Sequence, residues 1–256
     1  MSNDGNNLFS LLNAPPPYFH KGYRYFSLPR NYTIPAGSLI LNDRHQPWIL
    51  SELATLAYEE VKSIENVIGL LQKSASPIKL QLINFISVND TQVCVFGVER
   101  SIVVSFRGTE PFNAGDWFDD SKALPLSTKN GRGGVHPGFQ TSVNRVYNSL
   151  MTELNTNPNR FDSLLVAGHS LGGAVATLFA EQLAWDPLQT EIALKIKRVS
   201  TYGAPKVGNE KFGRSFQEKL HDILKRYKYG EDPIPTLPPP VDGITGNARS
   251  ICALLQ

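Results

Sequence analysis

A serine set between two glycines is the residue in this sequence best placed to do chemistry. Ser170 follows the apolar run 163–168 and lies in the pattern Gly-x-Ser-x-Gly, between Gly168 and Gly172. Between a strand and a helix, this pattern is typical of a serine held in a sharp, strained turn and presented as a nucleophile. The first helical N–H, at Leu171, could bind the oxyanion formed after attack on a carbonyl. The non-catalytic alternative is a glycine-rich turn with an idle serine.

Two other positions could complete such a site. The apolar strand 101–107 ends in Gly108 and Thr109, which makes Thr109 the second expected oxyanion donor; alternatively Thr109 caps a turn. Asp232 follows another strand and precedes a proline-rich run, where its carboxylate could orient a histidine; alternatively it starts an Asp-Pro turn. No His-x-x-x-His or Cys-x-x-Cys pair is present, so we expect neither a metal site nor a cofactor.

The elements around these residues predict an α/β fold. Helical spacing over 48–73 predicts one long helix or two consecutive ones. Alternating strands and helices in the second half predict a mostly parallel sheet with helices on both faces, and active sites on such sheets lie at the carboxyl ends of the strands. A Glu-Arg turn predicts an antiparallel hairpin earlier in the sheet. The predicted strands are 80–86, 92–98, 101–107, 163–168, 195–202 and 224–229, and the predicted helices after the hairpin are 137–154, 171–183 and 209–220.

Six motifs in order resemble those of the class 3 lipases, the fungal-type lipases with an α/β-hydrolase fold. The resemblance covers about residues 90–240 and implies hydrolysis of carboxylic esters, with Ser170 as nucleophile and Asp232 as the acid of a catalytic triad. The motifs are SFRGT (105–109) for the oxyanion strand, DWFDD (116–120) for the lid, VHPGF (135–139) before a helix, the elbow GHSLGGA (168–174), TYGAPKVGN (201–209) at the next strand end and the acid-bearing turn 232–239.

The general base expected in this fold is absent from its usual place. The triad order is Ser, Asp, His, yet the 24 residues after Asp232 contain no histidine. Three explanations stay open: the chain is a truncated or frame-shifted form of a complete lipase, it is a noncatalytic relative, or another histidine substitutes. Of the five histidines, His136 is the one we consider as a substitute base, because it follows the expected lid. His169 neighbours Ser170, but neighbours on such a turn diverge.

The segment 110–121 is expected to act as a lid. It contains Trp117 and Phe118 among acidic residues, so it could form a short amphipathic helix that covers an acyl pocket and opens at a lipid surface. A fixed loop with a core tryptophan is the alternative. Transient contact with a lipid surface is the partner that this lid would imply.

Composition limits the remaining possibilities. With 256 residues, 41% hydrophobic, we expect an irregular N-terminal arm (1–47) and one domain (48–256), with truncation of that domain at its C-terminus as an alternative. A net charge of +2 without a basic stripe argues against nucleic-acid binding. Neither a signal peptide nor a transmembrane helix is visible, which favours a cytoplasmic protein. Cys94 and Cys252 lie in apolar settings and indicate no disulfide framework. The oligomeric state is not predicted.

The sequence therefore predicts a serine hydrolase that cleaves lipid esters, of the triacylglycerol lipase or phospholipase A1 kind, through an acyl-enzyme on Ser170. The alternative from another class is an impaired lipase-like scaffold that binds a lipid or a partner through the same cleft. A related enzymatic alternative is acyl transfer or thioester cleavage.

Overall fold

Two helices precede the sheet. The computed structural model describes residues 25, 45–73, 79–108, 126–127, 131–230, 232 and 234–236. Helix α1 spans Gln46–Leu56 and helix α2 spans Val61–Lys73. They are separate helices rather than one, since the helical hydrogen bonding stops at 57–60, where Tyr58 and Glu59 are buried. Helix α1 begins inside the predicted arm 1–47; of the rest of that arm the structure describes Tyr25, whose hydroxyl donates to Glu59 at 2.7 Å.

The first three strands form an antiparallel meander, as the sequence predicts. Strands β1 (Leu80–Val88), β2 (Thr91–Val98) and β3 (Ser101–Phe106) are joined by two-residue turns. Asn89 and Glu99, the first residues of these turns, have φ of 53° and 55°. Positive φ matches the right-handed twist of the flanking strands, and asparagine tolerates it best among residues with a side chain. The Glu-Arg hairpin predicted from the sequence is confirmed.

Three further strands extend the sheet in parallel to β3. They are β6 (Ser163–His169), β7 (Ile196–Tyr202) and β8 (Leu224–Tyr227), and the strand order is β1-β2-β3-β6-β7-β8. A separate two-stranded ribbon pairs β4 (Leu126–Ser127) with β5 (Gly134–Val135). All four parallel strands end at the same edge of the sheet, so the residues that follow them are brought together there.

Helices cover both faces of the sheet. Helices α3 (Pro137–Thr156), α4 (Leu171–Ala184) and α6 (Glu210–Leu220) pack on one face, and α1 and α2 pack on the other. The β6 side chains alternate between these two cores: Val166 packs in the first and Ala167 in the second. Because β6 is covered on both sides, its sequence is a continuous apolar run instead of an alternating one. The predicted mostly parallel sheet with an early antiparallel hairpin is confirmed.

The structure differs from the predicted elements at several of their ends, and it adds one short helix and the ribbon of β4 and β5. The short helix α5 (Thr190–Leu194) was not predicted, because five residues carry too little periodicity. The third predicted helix starts at Glu210 because Asn209 is its N-cap, with Oδ1 accepting from the Phe212 N–H at 3.1 Å. Strand β8 ends at Tyr227 instead of residue 229. Among the helices that the structure describes, none is long and apolar enough to cross a membrane.

Candidate active site

Ser170 lies at the turn between β6 and α4 in a strained conformation. Its φ is 53° and its ψ is −128°, a region that residues with a side chain rarely adopt. The backbone around it is held on both sides: the Ser170 N–H donates to Tyr202 O at 2.8 Å, and Ser170 O accepts from the Gly173 N–H at 3.0 Å. The turn therefore has the strand–Ser–helix geometry that the Gly-x-Ser-x-Gly pattern predicts.

The two glycines of the pattern are required by close backbone contacts. A Cβ atom on Gly168 would lie 2.4 Å from the carbonyl carbon of Gly172. A Cβ atom on Gly172 would lie 2.2 Å from Phe106 O and 2.9 Å from Gly108 N. The first contact joins the two sides of the turn itself. The second contact joins the first turn of α4 to the end of β3.

The expected oxyanion donors belong to these two touching segments. Leu171 is the first residue of α4, where the N–H groups have no partner within the helix and the positive end of the helix dipole lies. Thr109 lies outside the described residues, but Gly108 directly before it is in place beside the first turn of α4. The backbone therefore brings the two predicted donor segments to the same edge as Ser170.

Asp232 lies at the same sheet edge, beyond β8. Its Oδ1 accepts from the Ile234 N–H at 3.0 Å, so the carboxylate is tied to its own turn. Its Oδ2 is 2.9 Å from the point that a Cβ of Gly203 would occupy, and Gly203, with φ of 58°, directly follows β7. The half-buried carboxylate thus stands beside the end of the strand next to β6.

His136 has a structural contact of its own. It is the N-cap of α3, and its Nδ1 accepts from the Gly138 N–H at 3.2 Å. The ring is buried and lies on Phe139, with 4.6 Å between ring centroids. Its role as a substitute base stays a prediction. Trp117 and Phe118, the expected lid residues, lie outside the described residues, as do His20 and Cys252.

One contact near Ser170 was not predicted from the sequence. The Tyr58 hydroxyl lies 3.0 Å from Nδ1 of His169, the residue before Ser170, although 111 positions separate the two. The Arg107 guanidinium lies over the Tyr58 ring at 5.7 Å from its centroid. No local pattern could indicate this pairing, because it depends on how the end of α1 docks on the sheet.

The buried thiol of Cys94 and an open surface cleft are not part of the candidate site. Burial raises the pKa of the Cys94 thiol to about 12, and the charge of Arg107 opposes this with a lesser effect, so this cysteine is a core residue. Within the part of the chain that the structure describes, no three histidine, cysteine or acidic residues are grouped as metal ligands. An open cleft of about 470 Å³ lies between Trp185, which follows α4, and one side of α6, and Ser170 does not line it.

Fold and site together define a protein of the α/β-hydrolase class with a strained serine between β6 and α4. The family described as lipase (class 3) matches residues 103–242, more than half of the chain, and the chain belongs to that family. It is 31% identical over 234 residues to the triacylglycerol lipase OBL1 of Arabidopsis thaliana, covering 72% of this chain and 44% of that protein. The chain therefore spans less than half of the length of this relative.

Solved structures support the same assignment. A Rhizomucor miehei lipase in complex with its propeptide has a TM-score of 0.54 and 30% identity, covering 62% of this chain and 52% of that chain. A triacylglycerol lipase whose catalytic centre is described as a serine protease triad has a TM-score of 0.53 and 29% identity, covering 62% of this chain and 61% of that one. The residues matched by the family, 103–242, include the Gly-x-Ser-x-Gly turn.

Proposed function

We propose that this protein hydrolyses carboxylic esters of lipids through an acyl-enzyme on Ser170. The observation that carries the proposal is the strained Ser170 between β6 and α4, with the end of β3 packed against the first turn of α4. Strained non-glycine residues persist where the surrounding structure holds them, and they cluster at active sites. Relatives described as triacylglycerol lipases support lipid esters as the substrate class.

The proposed reaction has two halves. Ser170 Oγ attacks the ester carbonyl carbon while a base takes the hydroxyl proton, and the resulting oxyanion is held by the N–H groups of Leu171 and Thr109 and by the Thr109 hydroxyl. The C–O bond to the alcohol breaks, and the alcohol leaves with the proton. Water then attacks the acyl-enzyme by the same route and releases the carboxylic acid. Asp232 would orient the base and stabilise its charged form.

This mechanism needs a proton acceptor, and the sequence does not supply a histidine for it after the predicted acid. One solved triacylglycerol lipase is described as having a serine protease triad. The base of such a triad is a histidine, whereas no histidine follows Asp232 here. Removal of a triad member generally leaves a residual rate from the oxyanion hole and substrate binding. We therefore expect the isolated chain to react slowly, and free imidazole to accelerate it by serving as the base beside Ser170.

Fluorophosphonate labelling tests this proposal, because the reagent reports an activated serine whatever the natural ester. The purified protein, checked for native circular dichroism, is labelled at increasing imidazole concentrations beside Ser170→Ala. We expect labelling that rises with imidazole in the natural chain and none in Ser170→Ala. The variant His136→Asn keeps a capping side chain on α3, so loss of imidazole-independent labelling in this variant would assign the base to His136.

The opposite result would favour the scaffold alternative. If the natively folded chain is not labelled at any imidazole concentration, Ser170 is not activated and the proposed hydrolysis by this chain is wrong. Where labelling is found, release of nitrophenol from p-nitrophenyl esters of increasing acyl length then reports the preferred acyl chain. Triacylglycerol and phospholipid emulsions separate the two lipid classes.

A further inference from the structure

Tyr58 lies between two segments of the candidate site. It follows α1 in the chain, 45 positions before the first residue that the family matches, and its side chain is buried. Its hydroxyl is 3.0 Å from Nδ1 of His169 and 3.5 Å from the His169 carbonyl oxygen. The two rings meet edge to face, with 5.8 Å between their centroids. Tyr58 thus contacts both the side chain and the backbone of the residue before Ser170.

The same hydroxyl also fills the space beside the end of β3. A Cβ atom on Gly108 would lie 2.2 Å from the Tyr58 hydroxyl oxygen and 2.7 Å from His169 O. Gly108 precedes Thr109, the predicted second oxyanion donor, and His169 precedes Ser170 and Leu171. The Tyr58 hydroxyl is therefore wedged between the segment that carries one predicted donor and the segment that carries the nucleophile and the other donor.

The far side of the His169 ring reaches toward the predicted acid. A Cβ atom on Gly203 would lie 3.7 Å from His169 Nε2 and 2.9 Å from Asp232 Oδ2. The imidazole accordingly occupies the space between Tyr58 and the turn that holds Asp232. A shift of the His169 ring would therefore move Ser170 through the backbone and Asp232 through packing.

From these contacts we infer that Tyr58 is a positioning residue for the reaction, acting through His169 and Gly108. Its hydroxyl holds the end of β3 and the turn at Ser170 at the separation that the oxyanion site requires. The inference rests on the proposed function. Preorganised donors are effective when they are held within a fraction of an ångström, and a misplacement of about 1 Å can cost about 100-fold in rate.

The substitution Tyr58→Phe removes the hydroxyl and keeps the ring. We expect the maximal rate constant of fluorophosphonate labelling of Ser170, measured in saturating imidazole, to fall about tenfold. The reagent concentration that gives half the maximal rate should change less than about twofold, because the hydroxyl is not placed in the binding site. The matched control is Tyr147→Phe on α3, which removes the hydroxyl of an equally buried tyrosine, bonded to Asp186 at 2.7 Å. We expect this control to label at the natural rate.

A second pair of variants tests the path through His169. His169→Asn keeps a polar group close to the position of Nδ1, whereas His169→Leu fills a similar volume without one. If the Tyr58 contact positions the site, His169→Asn should label several-fold faster than His169→Leu, although both fold. A purely space-filling role predicts equal labelling rates for the two variants.

The outcomes separate this inference from the proposed function. If the natural chain labels and Tyr58→Phe labels at the same rate, or no slower than Tyr147→Phe, the positioning role is wrong while the hydrolase proposal stands. If Tyr58→Phe falls as expected but His169→Asn and His169→Leu are equal, the path through His169 is wrong. If the natural chain does not label at any imidazole concentration, the hydrolase proposal fails, and the positioning role fails with it.

Discussion

Ser170 is held in an unfavourable backbone conformation by residues that surround it. A non-glycine residue in such a region costs about 1–3 kcal/mol, which the rest of the structure must offset. Its backbone is tied to Tyr202 and Gly173, and the missing side chain of Gly172 lets the end of β3 approach within contact distance. The free energy that supports the predicted nucleophile therefore comes from the close contact of three backbone segments.

The substitution Gly172→Ala should disrupt this contact. The added Cβ would meet Phe106 O at 2.2 Å and the Arg107 carbonyl carbon at 2.8 Å, and both are backbone atoms that cannot rotate away. We expect a loss of about 2–3 kcal/mol in the free energy of unfolding, measured by urea denaturation. The matched control is Gly69→Ala in α2, where a Cβ meets nothing within 4 Å; it should stabilise the protein by about 0.5–1 kcal/mol. Equal stability of Gly172→Ala and the natural chain would contradict the close contact.

At the level of elements, a buried ion pair ties the segment before β5 to two helices. Arg132 Nε donates to Glu181 Oε1 on α4 at 2.7 Å, and the Ser215 hydroxyl on α6 donates to the same oxygen at 3.1 Å. Glu181 is 1% exposed, and the Arg132 guanidinium also lies over the Trp185 ring at 5.1 Å. This cluster helps to fix where α6 packs against α4, and it lies away from Ser170.

Removing one partner of this pair should cost more than removing both. Arg132→Met leaves the Glu181 carboxylate buried without its cation, so we expect a loss of about 3–5 kcal/mol in the free energy of unfolding. The double variant Arg132→Met/Glu181→Met removes the stranded charge and should recover a large part of that loss. As a control, Arg100→Met breaks the exposed pair with Asp162 and should leave the urea midpoint unchanged, because solvent screens that pair. A double variant less stable than Arg132→Met would contradict this account.

For the molecule as a whole, buried thiol and phenol groups make stability depend on alkaline pH. Burial raises the pKa of Cys94 from 9.0 to about 12, and burial also raises the pKa values of Tyr147 and Tyr202. Above about pH 9 the unfolded chain therefore releases protons that the folded chain still holds. The stability from these groups is fully present below the unfolded pKa values and is lost as the pH rises toward the folded ones.

We expect urea midpoints to be level up to about pH 8.5 and to fall between pH 9 and 11. Cys94 alone contributes a loss of about 1.4 kcal/mol per pH unit in that range. In Cys94→Ala the free energy of unfolding should fall less steeply with pH, by that amount per unit, whatever its value at pH 8. An identical slope in the natural chain and in Cys94→Ala would show that the thiol does not titrate with a raised pKa.

Whatever depends on local spacing could be predicted from the sequence alone. The Gly-x-Ser-x-Gly turn, the Glu-Arg hairpin and the alternation of strands and helices each involve residues within about one element of each other, so their patterns are visible in the chain. Element ends were less well predicted, as at Asn209, because capping is a contact of single side chains. The sequence alone thus determined the class of fold and the position of the Gly-x-Ser-x-Gly turn.

The tertiary structure decided which distant residues meet at that turn. The approach of Tyr58 to His169 follows from how α1 docks on the sheet, and the position of Asp232 beside Gly203 follows from the pairing of β8 with β7. Docking is driven by burial of apolar surface, which is non-directional and leaves no residue-by-residue signature in the sequence. The backbone contacts between β3 and α4 likewise required the folded chain. They set the geometry on which the proposed chemistry depends.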